Sequence, residues 1–277
     1  MADLPFVAAA AQLTSKTSID ENLTTCARLA ADAAARKAKL LVLPECFAFI
    51  GETIEARHAI AERLDTSAPG PILKALVEIA KTYQMWIVAG GLPEATDEVG
   101  PELAYNTCLV LSPAGEITCR YRKIHLFDVD IPGKAQFKES SFTTAGEDVV
   151  VAETALAKLG LTICYDVRFP ELYRKLASQG AQILLVPAAF TAHTGEAHWH
   201  TLLRARAIEN QCFVIAAGQV GQHNKKRETY GHSLIIDPWG ETLAECKQGV
   251  GLAVAEVDPG RLSAVRERMP CHQHRVL

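Results

Sequence analysis

The sequence lacks the marks of a membrane, secreted or multi-domain protein. No uncharged apolar run approaches the ~18 residues that a membrane-spanning helix needs, so we expect no membrane association. The first basic residue is Lys16, and no basic segment precedes the apolar stretch at residues 6–11, which argues against a secretory signal peptide. No Ser/Gly-rich linker or low-complexity tract divides the chain, so we expect a single domain over residues 1–277.

Paired cysteines and excess positive charge are also missing. The cysteines are scattered without a C-x-x-C pair, which disfavours a disulfide framework or a structural zinc site. A reducing, cytoplasmic compartment is therefore expected. The net charge of −4 disfavours non-specific nucleic-acid binding. The cysteines are Cys26, Cys46, Cys108, Cys119, Cys164, Cys212, Cys246 and Cys271.

The chain has enough apolar material for a large core, since 49% of its 277 residues are hydrophobic. Apolar runs typical of buried strands alternate with helical segments in both halves. A hairpin pattern, Leu109-Val-Leu-Ser-Pro-Ala-Gly-Glu, recurs at residues 234–241 as Leu-Ile-Ile-Asp-Pro-Trp-Gly-Glu, which favours a pseudo-twofold pair of sheets. We predict an α/β fold in which two mixed sheets pack face to face with helices outside.

Cys164 is the first candidate for a functional residue. It ends the apolar run at residues 159–163, and Pro170 soon afterwards suits the first turn of a helix. The pattern predicts a strand-to-helix elbow, where open α/β sheets expose their chemistry and N–H groups stabilise a thiolate or an oxyanion. The alternative is a structural cysteine, because free cysteine often serves as a small hydrophobic residue.

Two charged residues also follow predicted strands. Glu45 closes the run at residues 39–44, and Lys123 lies at the exit of another strand. If these strand ends meet the one that carries Cys164, a carboxylate, an ammonium group and a thiol converge. The alternatives are an exposed strand end for Glu45 and a basic, solvated edge for Lys123.

Three motifs, in this order, resemble the nitrilase superfamily of carbon–nitrogen hydrolases. They are Leu43-Pro-Glu45, Tyr121-Arg-Lys123 and Cys164-Tyr-Asp-Val-Arg-Phe-Pro-Glu171. The similarity covers essentially the whole chain, and the block from Lys123 through Pro132 and Gly133 to Glu139 resembles the Nit amidase branch. Segments that share this resemblance are Ala197-His-Trp, Arg204-Ala-Arg-Ala-Ile-Glu-Asn-Gln211, Tyr230-Gly-His-Ser233 and Asp237-Pro-Trp-Gly240. The resemblance implies a four-layer α-β-β-α sandwich.

The same resemblance implies a thiol amidase that needs no cofactor. Cys164 attacks the amide carbonyl, and Glu45 takes the thiol proton and passes it to the leaving ammonia or amine. Lys123 and the backbone N–H of Tyr165 hold the oxyanion, while Glu139 orients Lys123 and assists proton transfer. Water activated by Glu45 then releases the acid from the acyl-thioester. Because an ordinary carboxylate is a poor base for a thiol, this scheme expects burial to raise the pKa of Glu45.

The implied substrate is a small amide that bears a carboxylate, either deaminated glutathione or an α-keto-acid amide. Arg168 is the candidate for binding that carboxylate, because guanidinium holds carboxylate bidentately. A pair between Arg168 and Glu171 is the structural alternative. By resemblance, Phe190 and Thr194 line the acyl pocket, and a helix is predicted over residues 197–210.

Other interpretations stay open at this point. His125 or His232 could act as the base in a Cys–His pair. Nitrilase or carbamoylase activity is an alternative within the superfamily, and a non-catalytic interaction protein on the same scaffold is an alternative outside it. The histidines at 193, 198 and 200 and the segment Cys271-His-Gln-His274 lack convincing metal-ligand spacing, so we expect no metal.

The resemblance also implies a homodimer or a higher homo-oligomer. Apolar-rich helices around residues 172–176 and 202–208, together with the C-terminal segment, are the candidates for a surface that pairs with its own copy.

Overall fold

The computed structural model describes residues 4–100, 102–131 and 135–276, so Pro132 and Gly133 of the amidase-like block lie outside the described residues. The first half of the chain contains β1 (Phe6–Gln12), α1 (Ile19–Ala35), β2 (Ala38–Leu43), α2 (Ile54–His58), α3 (Pro71–Tyr83), β3 (Trp86–Glu94), β4 (Ala104–Leu111), β5 (Ile117–Arg122), β6 (Asp128–Ile131) and β7 (Ala135–Lys138).

The second half begins with a 3-10 turn, Glu139–Ser141, and has another at Cys164–Arg168. Its strands and helices are β8 (Thr143–Thr144), β9 (Val151–Glu153), β10 (Lys158–Leu161), α4 (Pro170–Ser178), β11 (Ile183–Ala188), α5 (Ala192–Asn210), β12 (Phe213–Gly218), β13 (Val220–Gln222), β14 (Glu228–Tyr230), β15 (Ser233–Ile236), β16 (Thr242–Cys246), β17 (Gly251–Val257) and α6 (Pro259–Arg268).

The two larger sheets have matching connectivity. The first has the order β17-β1-β2-β3-β4-β5, with β8 beside β4, and the second has the order β16-β15-β12-β11-β10-β9. In each sheet, parallel strands (β1–β3 and β10–β12) are followed by an antiparallel hairpin (β4–β5 and β15–β16). This is the pseudo-twofold relation that the repeated hairpin motif predicts.

Strand β1 shows how the layers arise. Ala8 and Ala10 face the core between the sheets, while Ala9 and Ala11 face the core beneath α1 and α3. Successive side chains of a strand point to opposite faces, so a strand with apolar residues on both faces contributes to both cores. A third core joins the second sheet to α4 and α5. The order helix, sheet, sheet, helix confirms the predicted four-layer sandwich.

The core between the sheets draws on both halves of the chain. Val42 and Val88 of the first sheet belong to the same buried cluster as Leu161 and Ile183 of the second. On this basis we propose that residues 1–277 form one domain. Gly90 allows the sheets to approach closely, since a Cβ there would lie 1.9 Å from Pro187 Cβ.

One helix boundary differs from the prediction. Helix α5 begins at Ala192 rather than near Ala197, so Thr194 lies in its first turn. The sequence does not indicate that the helix starts at Ala192, because Gly195 follows soon afterwards and glycine is a poor helix former. The structure needs glycine there, since a Cβ would lie 2.3 Å from Tyr230 Cβ.

Within the described part of the chain, none of the helices combines the length and the apolar character that crossing a bilayer requires. All eight cysteines are free thiols.

Candidate active site

Cys164 lies at a sharp bend that follows β10. The strand ends at Leu161, and Cys164 opens the 3-10 turn with a φ of 50°. This left-handed conformation is strained for a residue with a side chain, and such strain is concentrated at functional sites. The first hydrogen bond of the turn runs from the N–H of Asp166 to the oxygen of Ile163. The N–H of Tyr165, the predicted oxyanion donor, comes one residue before that bond. The predicted elbow is present, although Cys164 follows the strand instead of belonging to it.

Two buried side chains hold this elbow in place. Asp166 accepts hydrogen bonds from the Tyr121 hydroxyl at 2.7 Å and from the backbone N–H of His125 at 3.1 Å. Arg206 donates from Nε and Nη2 to the carbonyl oxygen of Val167, at 2.9 and 2.7 Å. Because these bonds come from distant parts of the chain, the tertiary structure maintains the strained turn.

Glu45 follows β2 at a second strained position. The next residue, Cys46, has a φ of 57°, and its N–H bonds to the oxygen of Gly91 at 2.9 Å. Oε2 of Glu45 accepts a hydrogen bond from the N–H of Ala189 at 3.0 Å. Gly91 is required here, because it has a φ of 64° and an added Cβ would lie 2.5 Å from Glu45 Cγ.

Lys123 connects two buried carboxylates. Its Nζ lies 2.8 Å from Oε2 of Glu139 and 3.4 Å from Oε1 of Glu45, and its side chain is only 2% exposed. Glu139 begins a 3-10 turn and also accepts the N–H of Phe127 at 2.7 Å. This burial excludes the solvated edge considered for Lys123. It also excludes the exposed strand end considered for Glu45.

Asn106 is a site residue that sequence analysis missed. Its Nδ2 donates to Oε1 of Glu45 at 2.8 Å and to Oε1 of Glu139 at 3.2 Å. Its backbone oxygen accepts the N–H of Lys123 at 2.9 Å. A single amide therefore bridges both carboxylates. The signal available in the sequence was a polar asparagine in the otherwise largely apolar strand β4, and the structure shows that its side chain is fully buried.

The charges of this cluster set its protonation states. Burial alone would raise the pKa of Glu45, but the charges of Lys123 and Arg227 and the Asn106 hydrogen bond outweigh burial and hold that pKa below its usual range. Burial alone would lower the pKa of Lys123, but Glu139 and Glu45 raise it. Burial and then the Glu45 charge raise the pKa of the Cys164 thiol well above its usual value.

The free site therefore holds an ionised carboxylate, an ammonium group and a neutral thiol. This differs from the expectation that burial raises the pKa of Glu45, because the adjacent cations decide the direction. A carboxylate beside a thiol can accept its proton when a new bond forms at sulfur, and an ammonium group can stabilise a developing oxyanion.

The residues predicted to bind substrate line the same cleft as Cys164. Arg168, Phe190 and Thr194 contribute to its walls, together with Tyr165. The Arg168 guanidinium lies 5.1 Å from the centre of the Phe190 ring, and its Nη1 lies 3.3 Å from Nδ1 of His198. Among the ion pairs of the described residues, none joins Arg168 to Glu171, so the structural alternative for Arg168 is not supported.

Two further arginines, Arg57 and Arg227, line the cleft. Arg57 belongs to the short helix α2, and Arg227 directly precedes β14. Neither lies in a motif or an apolar pattern, and nothing in the local sequence separates them from surface arginines.

The histidines considered as bases have other partners. Nδ1 of His125 lies 2.7 Å from Asp166, and Nδ1 of His232 lies 2.6 Å from Glu245. Neither histidine is among the described residues that line the cleft. His200, His232 and Glu245 are close enough to be potential metal ligands, but both rings share a single Glu245 oxygen.

A model of the family described as carbon–nitrogen hydrolase matches residues 7–267. A Synechocystis sp. protein named deaminated glutathione amidase is 47% identical over 278 residues, which cover 98% of this chain and 98% of that protein. The solved structure of Caenorhabditis elegans NitFhit has a TM-score of 0.93 at 40% identity, over 100% of this chain and 66% of that one. Saccharomyces cerevisiae Nit3, described as a member of branch 10 of the nitrilase superfamily, has a TM-score of 0.88 at 30% identity, over 99% of this chain and 97% of that one.

Proposed function

The chain belongs to the carbon–nitrogen hydrolase family and is an amidase, and we propose that Cys164, Glu45, Lys123 and Glu139 carry out its chemistry. The observation that carries this proposal is the buried ion cluster beside the thiol. Lys123 touches both carboxylates, at 2.8 and 3.4 Å, and all of these groups line one cleft with Cys164. Buried charges cost free energy, so three of them in one cleft indicate a functional site.

In the proposed reaction, Cys164 attacks the amide carbonyl as its proton passes to Glu45. Free thiolate is disfavoured beside an anionic carboxylate, so proton transfer accompanies the attack instead of preceding it. Lys123 and the Tyr165 N–H stabilise the oxyanion. Glu45 then protonates the leaving nitrogen, the C–N bond breaks, and an acyl-thioester forms. Water attacks the thioester as Glu45 takes its proton, and Glu45 returns that proton to sulfur when the C–S bond breaks, which releases the acid and regenerates the Cys164 thiol.

Glu139 and Asn106 fix the positions of the other groups in the cluster. Glu139 shares the Lys123 ammonium group with Glu45, so the cation stays on the side of the cleft where the oxyanion develops. Asn106 fixes the spacing of the two carboxylates. Asn106 takes no part in proton transfer, whereas Glu139 assists it through its contact with Lys123.

Deaminated glutathione is the proposed substrate. Relatives that bear the corresponding name are 45–47% identical to this chain over nearly its full length. Deaminated glutathione carries an α-keto-acid carboxylate on its acyl portion, and its hydrolysis yields α-ketoglutarate and cysteinylglycine. Arg168, with Phe190 and Thr194 beside it, provides a cation and an apolar wall for such an acyl group. ω-Amidase activity on α-ketoglutaramate, which shares this acyl group, is the second candidate for the same reason.

The test is a comparison of turnover on three amides. Purified enzyme is given deaminated glutathione, α-ketoglutaramate and a neutral aliphatic amide, and release of cysteinylglycine or ammonia is measured. We expect the highest kcat/KM for deaminated glutathione and no turnover by the Cys164→Ala variant. A higher kcat/KM for α-ketoglutaramate would assign the ω-amidase function instead, and a preference for the neutral amide would contradict both.

We also propose a homodimer in a cytoplasmic compartment. The leucines of α4 are buried beneath the second sheet, so that part of the expected pairing surface is not available. Ile208 and Trp239 are 43% and 57% exposed, and they support a pairing surface formed by α5 and the β15–β16 turn. The eight free thiols support a reducing environment.

A further inference from the structure

Three arginines line the cleft: Arg57, Arg168 and Arg227. Within the part of the chain that the structure describes, the ion pairs of the cleft are those of Lys123 with Glu45 and Glu139, and none of the three guanidinium groups is paired with a carboxylate. All three arginines are only half exposed. Partly buried cations without anionic partners are costly, and an anionic ligand would offset that cost.

The balance of charge in the cleft is positive. Four cationic side chains face two carboxylates, which leaves two positive charges uncompensated. Lys123 is already shared between Glu45 and Glu139, so the excess belongs to the three arginines. A substrate with one carboxylate would neutralise half of this excess, and a substrate with two would neutralise it fully.

The arginines lie in different surroundings. The Arg168 guanidinium stands over the rings of Phe190 and Tyr165, at 5.1 and 5.9 Å, on the wall supplied by the second half of the chain. Arg57 stands over Phe142 at 5.3 Å, and its Nη1 lies 3.6 Å from Sγ of Cys46, directly after Glu45. Arg57 and Arg168 therefore belong to separate walls of the cleft.

Arg227 is set into a hydrogen-bonded turn. Its N–H bonds to Oδ1 of Asn224 at 3.0 Å, and its oxygen accepts the N–H of His223 at 2.9 Å. The same turn is bonded to the segment that precedes α2, because Nδ2 of Asn224 donates to the oxygen of Gly51 at 3.3 Å, so Arg227 lies near the wall that carries Arg57. Arg57 contacts Cys46, the residue after Glu45, and in the proposed reaction Glu45 protonates the leaving nitrogen, so this wall is the one that would face the leaving group.

We propose that Arg57 and Arg227 form a second anion subsite, which binds a carboxylate on the leaving group while Arg168 binds the carboxylate of the acyl portion. The substrate class is then a dianionic amide with a carboxylate on each side of the scissile bond. This inference rests on the proposed function and narrows it, because deaminated glutathione has a terminal glycine carboxylate on its leaving group and α-ketoglutaramate has none.

The experiment compares deaminated glutathione with the same molecule amidated at its terminal glycine, and with α-ketoglutaramate. Wild-type enzyme should prefer the free acid. Arg57→Gln and Arg227→Gln should each lower kcat/KM for the free acid by roughly thirtyfold or more, mainly through KM, since removing one partner of a desolvated charge pair has effects of this order. The same variants should change kcat/KM for the other two substrates by less than about threefold.

Two controls separate binding from other effects. Lys226→Gln removes an exposed cation from the same loop, outside the cleft, and should leave all three substrates unaffected. Arg57→Lys keeps the charge and should retain part of the preference, and the melting temperature of each variant checks its folding. Equal losses on all three substrates would mean that Arg57 and Arg227 act only through the charge of Glu45, and this would overturn the subsite.

Binding to the Cys164→Ala variant supplies a measurement that does not need turnover. The free acid should bind roughly thirtyfold more tightly than the amidated form by calorimetry, and Arg57→Gln in the same background should remove the difference. Equal affinity for the two forms would overturn the inference. Absence of wild-type turnover on deaminated glutathione would contradict the proposed function. Turnover with equal kcat/KM for the free acid and the amidated form would contradict only the subsite.

Discussion

Replacing Lys123 by methionine tests both the chemistry and the stability of the buried cluster. Methionine keeps much of the side-chain volume but removes the ammonium group. The side chains of Lys123, Glu45 and Glu139 are 2%, 6% and 5% exposed, so water cannot take over the role of the cation. The variant therefore leaves two buried carboxylates with no cation between them.

The distances give the size of the effect. At an effective dielectric constant of about 20, contacts at 2.8 and 3.4 Å correspond to roughly 6 and 5 kcal/mol of gross attraction, most of which offsets desolvation. Removing one partner of a buried pair costs about 3–5 kcal/mol of the free energy of unfolding. For a chain of this length, that is a loss of roughly 6–10 °C in melting temperature. Loss of an oxyanion donor should also lower kcat by about 10²–10³-fold.

The loss of stability should depend on pH in a defined direction. The pKa of Glu45 in the wild type is lowered by Lys123, so its contribution to stability is present above its unfolded pKa of 4.5 and is lost as pH falls below that value. The variant lacks most of this contribution. The difference between the two proteins should be largest near neutral pH and should shrink below pH ~4.5. The raised pKa of Lys123 leaves its own charge intact throughout this range.

Thermal melts at several pH values and steady-state kinetics measure these effects. Lys158→Met is the matched control, because Lys158 pairs with the exposed Glu153 and exposed ion pairs contribute little to stability. Adding Glu139→Gln to Lys123→Met should recover part of the stability but none of the activity. The reasoning is refuted if Lys123→Met melts like Lys158→Met and keeps a kcat within about threefold of the wild type.

Three further predictions concern the nucleophile, the bridging amide and the assembly. Cys164→Ala should abolish turnover and preserve the melting temperature, and normal turnover by this variant would exclude Cys164 as the nucleophile. Intact-mass spectrometry of the wild type with a slow substrate should show an acyl adduct on Cys164. Asn106→Leu removes a hydrogen bond that lowers the pKa of Glu45, so the acid limb of the kcat/KM profile should move to higher pH, and an unchanged limb would count against the bridge. Light scattering should give twice 30.0 kDa for the wild type and a smaller mass for Trp239→Lys, and a wild-type monomer at micromolar concentration would contradict the dimer.

Local sequence patterns predict the layered fold because each pattern reports which face of an element is buried. The prolines at 71 and 170 mark helix starts, and the repeated hairpin motif reveals the matching connectivity of the two sheets. The three motifs that carry Glu45, Lys123 and Cys164 identify the family, and each of these residues follows a strand, so their convergence in the structure agrees with the sequence. Their catalytic roles remain predictions until the variants above are measured.

Other features depend on contacts between residues far apart in the chain. Asn106 is separated by 61 positions from Glu45, and neither Arg57 nor Arg227 has a local pattern that marks it as part of the cleft. The direction of the Glu45 pKa shift is also decided by tertiary structure, because the sequence places a carboxylate after a strand but does not show the cations around it. Hydrophobic periodicity and turn residues are local signals and determine which elements form and which faces they bury. The partners of each buried charge are set by distance in space, and only the folded arrangement of the strand ends determines those distances.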